Sequence, residues 1–581
     1  MSFTDFYQPG VPAQIELPTQ SLAELLDEAV AAAPDNVATD FFGKTMTYRQ
    51  LGEQVSQAAE GLRRMGVRPG DRVAIILPNC PQHLVALYAV LRLGAIVVEH
   101  NPLYTPRELR HMFEDHAARV AICWDAAVPK LGRQPDDVVI DQIVSVNLLS
   151  EFPSHLRWAL RLPVPSLRHK RAALTGKPVG ATMTWKNLLN NPGLDANFPR
   201  PSVRDMAVIQ YTSGTTGVPK GAILSHFNLY SNARQGAAWM HGARDGEETF
   251  YAVLPMFHVF GLLLFAIYGV LKRARIHLFP TFDVGLVLDA AKKHPPTVYC
   301  AVPPIYERTA DAAKAKRISL RSAKYCISGA MTLPEATVES WESVSGGLLV
   351  EGYGMTEASP VALGNPFFET RRTGTIGIPF PSTQMRVVDP DDPNVDVPVG
   401  APGELLIAGP QVFQGYWNNP AETEATLLPG GWLRTGDIVT QDSDGFTTIV
   451  DRKKELIITG GFNVSPTEVE GVLRGHPDVE DAAVVGLPDP HVGETVVAAV
   501  LARPGASVDV AAVRAYCRER LTGYKVPRQV FVLDAFPTSM LGKVLRAQVR
   551  QSLLDPADGA GADADAGSAS SGSGKKERDG Q

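Results

Sequence analysis

The sequence predicts an α/β protein: a large N-terminal domain of parallel-rich sheets sandwiched by helices, ending in a distorted small barrel of short strands, then a small α+β C-terminal domain. Three observations carry this expectation. At 581 residues and 45% hydrophobic content, the chain exceeds one core and is apolar enough to build several. Short β-branched runs alternate with helical segments from Arg72 to Ile327, the pattern of mostly parallel sheets covered by helices. After about Gly400 this alternation gives way to short strands with turn signals.

Taken in order, Arg72 to Leu77 reads as a strand, Pro81 to Leu93 as a helix opened by proline, and Ala95 to Val98 as a second strand, together a βαβ unit. The pattern recurs at Glu108 to Trp124, Met206 to Tyr211, Thr297 to Pro304 and Lys324 to Ile327. Tyr251 to Leu271 carries no charge and imitates a membrane span. Pro255, His258 and Gly261 interrupt it, and its unbroken part from Leu262 is about half the roughly 20 residues a bilayer requires. A loop feeding a buried helix is expected there. Gly403 to Ile407 and Gly445 to Val450 read as short strands, ending at the charged cluster Asp451 to Glu455, where a domain boundary is placed.

The large domain is thus 1–451, residues 452–454 form a connection, and 455–554 form the small domain, with a helix at Pro466 to Leu473, strands at Val479 to Val485 and Val496 to Ala502, and a helix at Val508 to Leu521. Asp555 to Gln581 is dominated by Ala, Gly, Asp and Ser, has no large apolar side chain, and is expected to be disordered.

A formal charge of −7 offers no broad positive field for a nucleic acid backbone. The five cysteines (Cys80, Cys123, Cys300, Cys326, Cys517) are odd in number and form no CxxC pair, against a disulfide framework or a zinc site and in keeping with a reducing cytosol. No basic n-region precedes an apolar run at the N-terminus, so a cytoplasmic protein is expected. Residues 151–178 place Arg157, Arg161, Arg168, Lys170, Arg171 and Lys177 against the single acid Glu151, interleaved with Phe152 and Trp158. Such a segment suits either a solvated connector or peripheral contact with an anionic membrane.

The most informative stretch is Tyr211-Thr-Ser-Gly-Thr-Thr-Gly-Val-Pro-Lys-Gly221, directly after an apolar strand. Gly214 and Gly217 let backbone N–H groups converge, Thr212, Ser213, Thr215 and Thr216 add hydroxyl donors, and Lys220 adds charge, an assembly suited to polyphosphate. It is not a Walker A loop, because Pro219 and Gly221 stand where that motif needs glycine and a hydroxyl residue.

Residues 211–221 resemble the phosphate loop of the adenylate-forming enzymes, the group of acyl-CoA synthetases, luciferases and peptide-synthetase adenylation domains, and the resemblance runs from about Asp35 to Arg550. Val350-Glu-Gly-Tyr-Gly-Met-Thr-Glu357 is similar to their adenine-binding segment, a Gly-rich turn in which Gly352 and Gly354 permit close approach and Tyr353 stacks on the purine. The resemblance implies that Thr356 touches the α-phosphate, that Glu357 and Thr212 ligate Mg2+, and that Ser328, Gly329 and Ala330 line the same pocket. Arg434-Thr-Gly-Asp437 and Asp451-Arg452 look like the ribose site, Asp437 accepting both hydroxyls and Arg452 donating to ribose or phosphate.

Pro537-Thr-Ser-Met-Leu-Gly-Lys543 looks like the turn whose lysine bridges the attacking carboxylate and the α-phosphate, so Lys543 joins Lys220 and His258 as catalytic candidates. Lys543 is read at a helix start, where the macrodipole disfavours a cation. Leu254-Pro-Met-Phe-His-Val-Phe-Gly261 resembles the border of an acyl pocket formed by His258, Val259, Phe260, Gly261 and Gly329. The resemblance also places a hinge at Lys454, about which the small domain is mobile, and a CoA passage at Gly460, Gly461 and Phe462.

Asn101-Pro-Leu-Tyr-Thr-Pro-Arg-Glu-Leu109 looks like the bacterial long-chain fatty acid CoA ligases. The implied activity is conversion of a medium- or long-chain fatty acid to acyl-AMP with release of pyrophosphate, then transfer to coenzyme A, using ATP and Mg2+. A fatty acyl-AMP ligase that delivers to a carrier protein is the alternative; those enzymes carry an insertion, whereas Val350 to Asp451 looks uninterrupted. A non-catalytic sensor on the same fold would be marked by a degraded phosphate loop or a missing lysine, but Thr212 to Lys220 and Lys543 are all present. The chemistry asks for no protein nucleophile, and no GxSxG or HExxH motif occurs.

Overall fold

Strand order in the two large sheets decides which loops meet. The computed structural model describes residues 3–554 apart from 136, 178–181, 213–218, 460–461, 490–491, 522 and 540–541. The chain divides after Lys454 into two units.

In the first unit a seven-stranded sheet runs Met183–Thr184, Gln142–Val146, Val120–Trp124, Arg72–Ile76, Ile96–Glu99, Met206–Thr212, Lys220–Ser225, parallel throughout except for the final hairpin. A nine-stranded sheet runs Ile378–Pro379, Val361–Gly364, Leu349–Gly354, Tyr325–Ser328, Val298–Ala301, Thr249–Ala252, Arg275–Leu278, Val37–Phe41, Lys44–Thr47, with parallel pairs inside and antiparallel pairs at both edges. Helix Pro81–Arg92 is buried along its whole length because it touches strands of both sheets. A helix hydrophobic all round finds its place only between two layers. This agrees with the expected parallel-rich sheets covered by helices.

The short strands near the end of this unit form an antiparallel half-barrel in which Gln384–Val388, Gly403–Ala408 and Trp432–Gln441 are adjacent. Thr447–Arg452 and Leu427–Leu428 both pair with Trp432–Gln441. The strand read from Gly445 starts two residues later, because Gly445 closes the turn at a φ of 94°. The first two residues of the uncharged stretch Tyr251 to Leu271 end the strand Thr249–Ala252, and a loop over 253–258 then feeds a buried helix, as expected. That helix opens as Val259–Gly261, winds as a π-helix over Leu262–Tyr268 and closes as Gly269–Leu271. Among the described residues no helix is long and apolar enough to cross a membrane.

In the second unit Val479–Asp489 and Gly493–Ala502 form a long hairpin, with Ile457–Thr459 and Gln529–Leu533 pairing with Gly493–Ala502 and Phe462–Val464 pairing with Ile457–Thr459. Val479–Asp489 outruns the sequence reading because Gly486 to Asp489 keep register with Gly493 to Val496 despite Gly486 and Pro488. Helices Pro466–Arg474 and Val510–Arg518 bury Val469, Leu473, Val513 and Cys517 on that sheet. The second of these starts later than read because the Asp509 side chain caps it, accepting from Ala511 N and Ala512 N, and it ends at Arg518, short of Leu521. All five cysteines are buried thiols. Asp555 to Gln581, read as a disordered tail, lies outside the described residues.

Candidate active site

The segment Val350 to Glu357 is not a Gly-rich turn. Gly352 and Gly354 belong to the strand Leu349–Gly354, and Thr356 and Glu357 to a 3-10 turn, Thr356–Ala358. The protein itself requires these glycines: a Cβ on Gly354 would overlap the Pro360 carbonyl, and one on Gly352 would press Ile327 at 3.1 Å. Tyr353 donates its hydroxyl to Asp437 Oδ2 at 2.5 Å, joining the adenine motif to the ribose candidate. Arg452 is the register partner of Asp437 on the neighbouring strand. Ser328 ends its strand with a buried Oγ lacking a partner among the described residues, a polar atom left for a ligand. Ala330, just beyond, is exposed and held at a φ of 66°, where a side chain is strained.

Thr212 and Lys220 face each other across a hairpin whose connecting residues Ser213, Gly214, Thr215, Thr216 and Gly217 lie outside the described residues. The Lys220 ammonium is ion-paired with Glu422 and sits 5.5 Å over the Tyr416 ring. Tyr416 donates to Glu357 Oε1 at 2.6 Å. Burial pushes its phenol far above the usual range, so it remains a donor. The segment 414–417 is sewn to the strand Lys220–Ser225 by Ile223 N to Gly415 O at 2.9 Å and Trp417 N to Gly221 O at 2.7 Å. Carboxylate and hydroxyl oxygens, Glu357 and Thr212, suit Mg2+, a hard cation that keeps water and phosphate ligands beside one or two protein groups.

On the acyl side, Asn79 holds the loop before His258. Its Nδ2 donates to Ala252 O and Leu254 O at 2.9 and 2.8 Å, and its Oδ1 accepts from Met256 N at 2.7 Å. Gln210 donates to Phe257 O at 3.0 Å. His258 caps the helix, accepting from Phe260 N, and burial lowers its pKa to about 4, so it is neutral near pH 7. A Cβ on Gly261 would collide with Pro255 O, which explains that glycine, while Val259 and Phe260 are buried. A Cβ on Gly329 would touch the Phe260 ring at 3.1 Å, so Phe260 adjoins the Ser328 to Ala330 turn. Beside Phe260 lies a narrow apolar pocket lined by Asn232, Gly236, Trp239, Leu264 and Phe380 among others, and by no charged side chain.

In the second unit, Lys543 does not start a helix. It lies in a turn closed by Ser539 N to Lys543 O at 2.7 Å and Lys543 N to Ser539 Oγ at 3.1 Å, and the helix begins at Arg546. The cation at that helix start is Arg546, compensated by Glu455 and by Glu470 at 2.7 Å, so the macrodipole argument for Lys543 falls away. Lys454 ends the first unit. Gly460 and Gly461 lie outside the described residues, and Phe462 opens the strand Phe462–Val464.

A family profile described as AMP-binding enzyme matches residues 26–417, and one described as AMP-binding enzyme C-terminal domain matches 468–543. The chain belongs to the AMP-binding enzyme family. A long-chain-fatty-acid–CoA ligase of Bacillus subtilis is 37% identical over 547 residues, 94% of this chain and 96% of the relative. A feruloyl-CoA synthase of an Amycolatopsis species is 34% identical, covering 89% and 96%. The crystal structure of ATP-bound MatB from Rhodopseudomonas palustris superposes with a TM-score of 0.75 at 28% identity, over 92% of this chain and 99% of that one. Within this AMP-binding enzyme, sequence reading missed Asn79, Gln210, Tyr416 and Glu422. Tyr416 had one local signal: Gln414-Gly-Tyr-Trp-Asn-Asn-Pro420 puts a positive-φ glycine and a helix-opening proline on either side of it.

Proposed function

We propose that this AMP-binding enzyme joins a medium- or long-chain fatty acid to AMP at the expense of ATP, releasing pyrophosphate, and then transfers the acyl group to coenzyme A. The observation that carries the reading is the uncharged apolar cavity beside Phe260 and Gly329. Ferulic acid also lacks an amine, so the uncharged lining suits either acid, and it is the higher identity and coverage of the long-chain relative that favours an aliphatic chain.

A fatty carboxylate is a poor acyl donor. Its oxygen attacks the α-phosphorus, pyrophosphate departs, and the resulting anhydride is opened by the CoA thiolate with AMP leaving. Glu357 and Thr212 would hold Mg2+, which would supply neutralisation of phosphate charge. Lys220, Thr356 and the loop residues Ser213 to Gly217 hold the phosphates, while Tyr353, Asp437 and Arg452 hold the nucleoside beside Ser328, Gly329 and Ala330. Lys543 stabilises charge as the carboxylate attacks. Neutral His258 shapes the acyl entrance as a hydrogen-bonding group, not a cation. Lys454 is the hinge by which Lys543 gives way to the CoA passage at Gly460, Gly461 and Phe462.

Residues 151–178 give the enzyme peripheral contact with anionic membrane. Supporting this, helices Ser154–Ala159 and Pro165–Leu174 bury no residue, and Trp158 is 66% exposed. Incubation with palmitate, ATP and CoA, scored for AMP and thioester, tests the function. AMP without thioester would favour delivery to a carrier protein, and no AMP from any fatty acid would sink the reading.

A further inference from the structure

Helix His226–Trp239 contains Gly236 in its interior, where glycine costs about 1 kcal/mol relative to alanine. Its backbone is not left-handed, and a Cβ built on it would meet no atom within 4 Å. Neither backbone conformation nor a close neighbour calls for glycine here. What lies beside it is the cavity, which Asn232, Gly236 and Trp239 line from one helix face at steps of four and three residues.

The cavity has two distinct ends. Asn232 binds both backbone groups of Val361, at 2.7 and 3.0 Å, and Val361 pairs with Gly354 of the adenine motif, so this end adjoins the nucleotide candidates. Trp239 lies about 10 Å further along the helix axis. Its indole stacks on Phe380 with centroids 4.4 Å apart and planes at 21°, and donates to Asn365 O at 3.0 Å. Behind it, the N-terminal arm presents Tyr7 edge-on at 5.1 Å, with the phenol donating to Pro379 O at 2.6 Å. Thr370 Oγ1 to Phe6 O and Ser382 N to Ala13 O, at 2.8 and 2.9 Å, fasten the arm on either side.

We propose that Gly236 and the Trp239–Phe380 stack, braced by Tyr7, set the length of acyl chain this enzyme accepts: Gly236 leaves the side wall open and the stack forms the floor. The proposal rests on the fatty-acid reading above. A side chain at position 236 would occupy the volume that the distal methylenes need, and a smaller residue at 239 would deepen the cavity.

The test compares kcat/KM for octanoate, laurate and palmitate, by AMP release, in the full-length wild type and in Gly236→Leu, Trp239→Leu and Tyr7→Ala. Gly236→Leu should lower the palmitate-to-octanoate ratio about tenfold or more, since each excluded methylene forfeits binding. Trp239→Leu and Tyr7→Ala should move the ratio the other way. A ratio is insensitive to the fraction of protein folded, and the three variants report independently if one fails to fold. Wild-type turnover with an unaltered ratio in the variants that fold overturns this proposal alone. No turnover of any of the acids by the wild type overturns the fatty-acid reading and this proposal with it.

Discussion

Tyr416 donates its hydroxyl to the carboxylate of Glu357 at 2.6 Å while its ring lies under the Lys220 ammonium. One side chain therefore touches both the candidate metal ligand and the candidate phosphate lysine. Tyr416→Phe keeps the ring and removes the donor to a carboxylate that is only 6% exposed. Losing one partner of a buried charged group costs about 1–3 kcal/mol. If Glu357 holds Mg2+, the KM for Mg·ATP should rise by about tenfold with a smaller change in the KM for the fatty acid. An unaltered Mg2+ dependence would show that the hydroxyl does not orient Glu357.

Asn79 makes three hydrogen bonds to the backbone of the loop that leads to His258. Asn79→Ala should destabilise the first unit by about 3 kcal/mol, because the backbone groups it served stay buried. It should also raise the KM for fatty acid more than that for ATP. Urea unfolding and steady-state kinetics measure the two effects; equal changes in both KM values would reduce Asn79 to a structural role.

His226 and His258 are held neutral by burial, with pKa values lowered to about 3 and about 4. In the unfolded chain they take up protons below about pH 6.5. The native state cannot follow, so stability is full above that pH and declines as pH falls towards 4, by at most about 1.4 kcal/mol per pH unit for each ring. His226 Nδ1 accepts from Leu22 N at 3.2 Å, which a fully protonated ring could not do. His226→Asn, whose amide oxygen can accept the same bond, should flatten the fall in urea midpoint between pH 6.5 and 5. A slope identical to wild type would contradict a neutral buried His226.

Lys543→Ala should slow acyl-AMP formation by roughly 100-fold or more while thioester formation from supplied acyl-AMP largely survives. Lys454→Pro should do the reverse, since proline fixes φ where a hinge must change it. Pre-steady-state assays of each half-reaction check both. Equal losses in the two steps for Lys543→Ala, or normal acyl-CoA synthesis by Lys454→Pro, would reject the respective role.

Sedimentation with anionic liposomes should carry the enzyme down at low salt and release it as ionic strength rises. Replacing Arg157, Arg161, Arg168 and Arg171 by Gln should abolish the binding. Retention of the fourfold variant on the liposomes would leave 151–178 as a solvated connector.

The sequence by itself determined the fold class, most helix and strand positions and the likeness to adenylate-forming enzymes, because hydrophobic period, turn residues and contiguous motifs are local properties of the chain. It misplaced Gly352 and Gly354 in a turn and Lys543 at a helix start, since a strand partner or a first helical hydrogen bond lies beyond any motif. Only the tertiary structure decided that Tyr416 would meet Glu357, that Glu422 would pair with Lys220, that Asn79 would clamp Ala252 to Met256, and that Tyr7 would pack edge-on against Trp239. These partners are separated by 59, 202, 173 to 177 and 232 positions, and no short-range pattern encodes which of them meet. The order of strands in the two sheets fixes that, and it is selected by burying all the apolar faces together rather than by any segment alone.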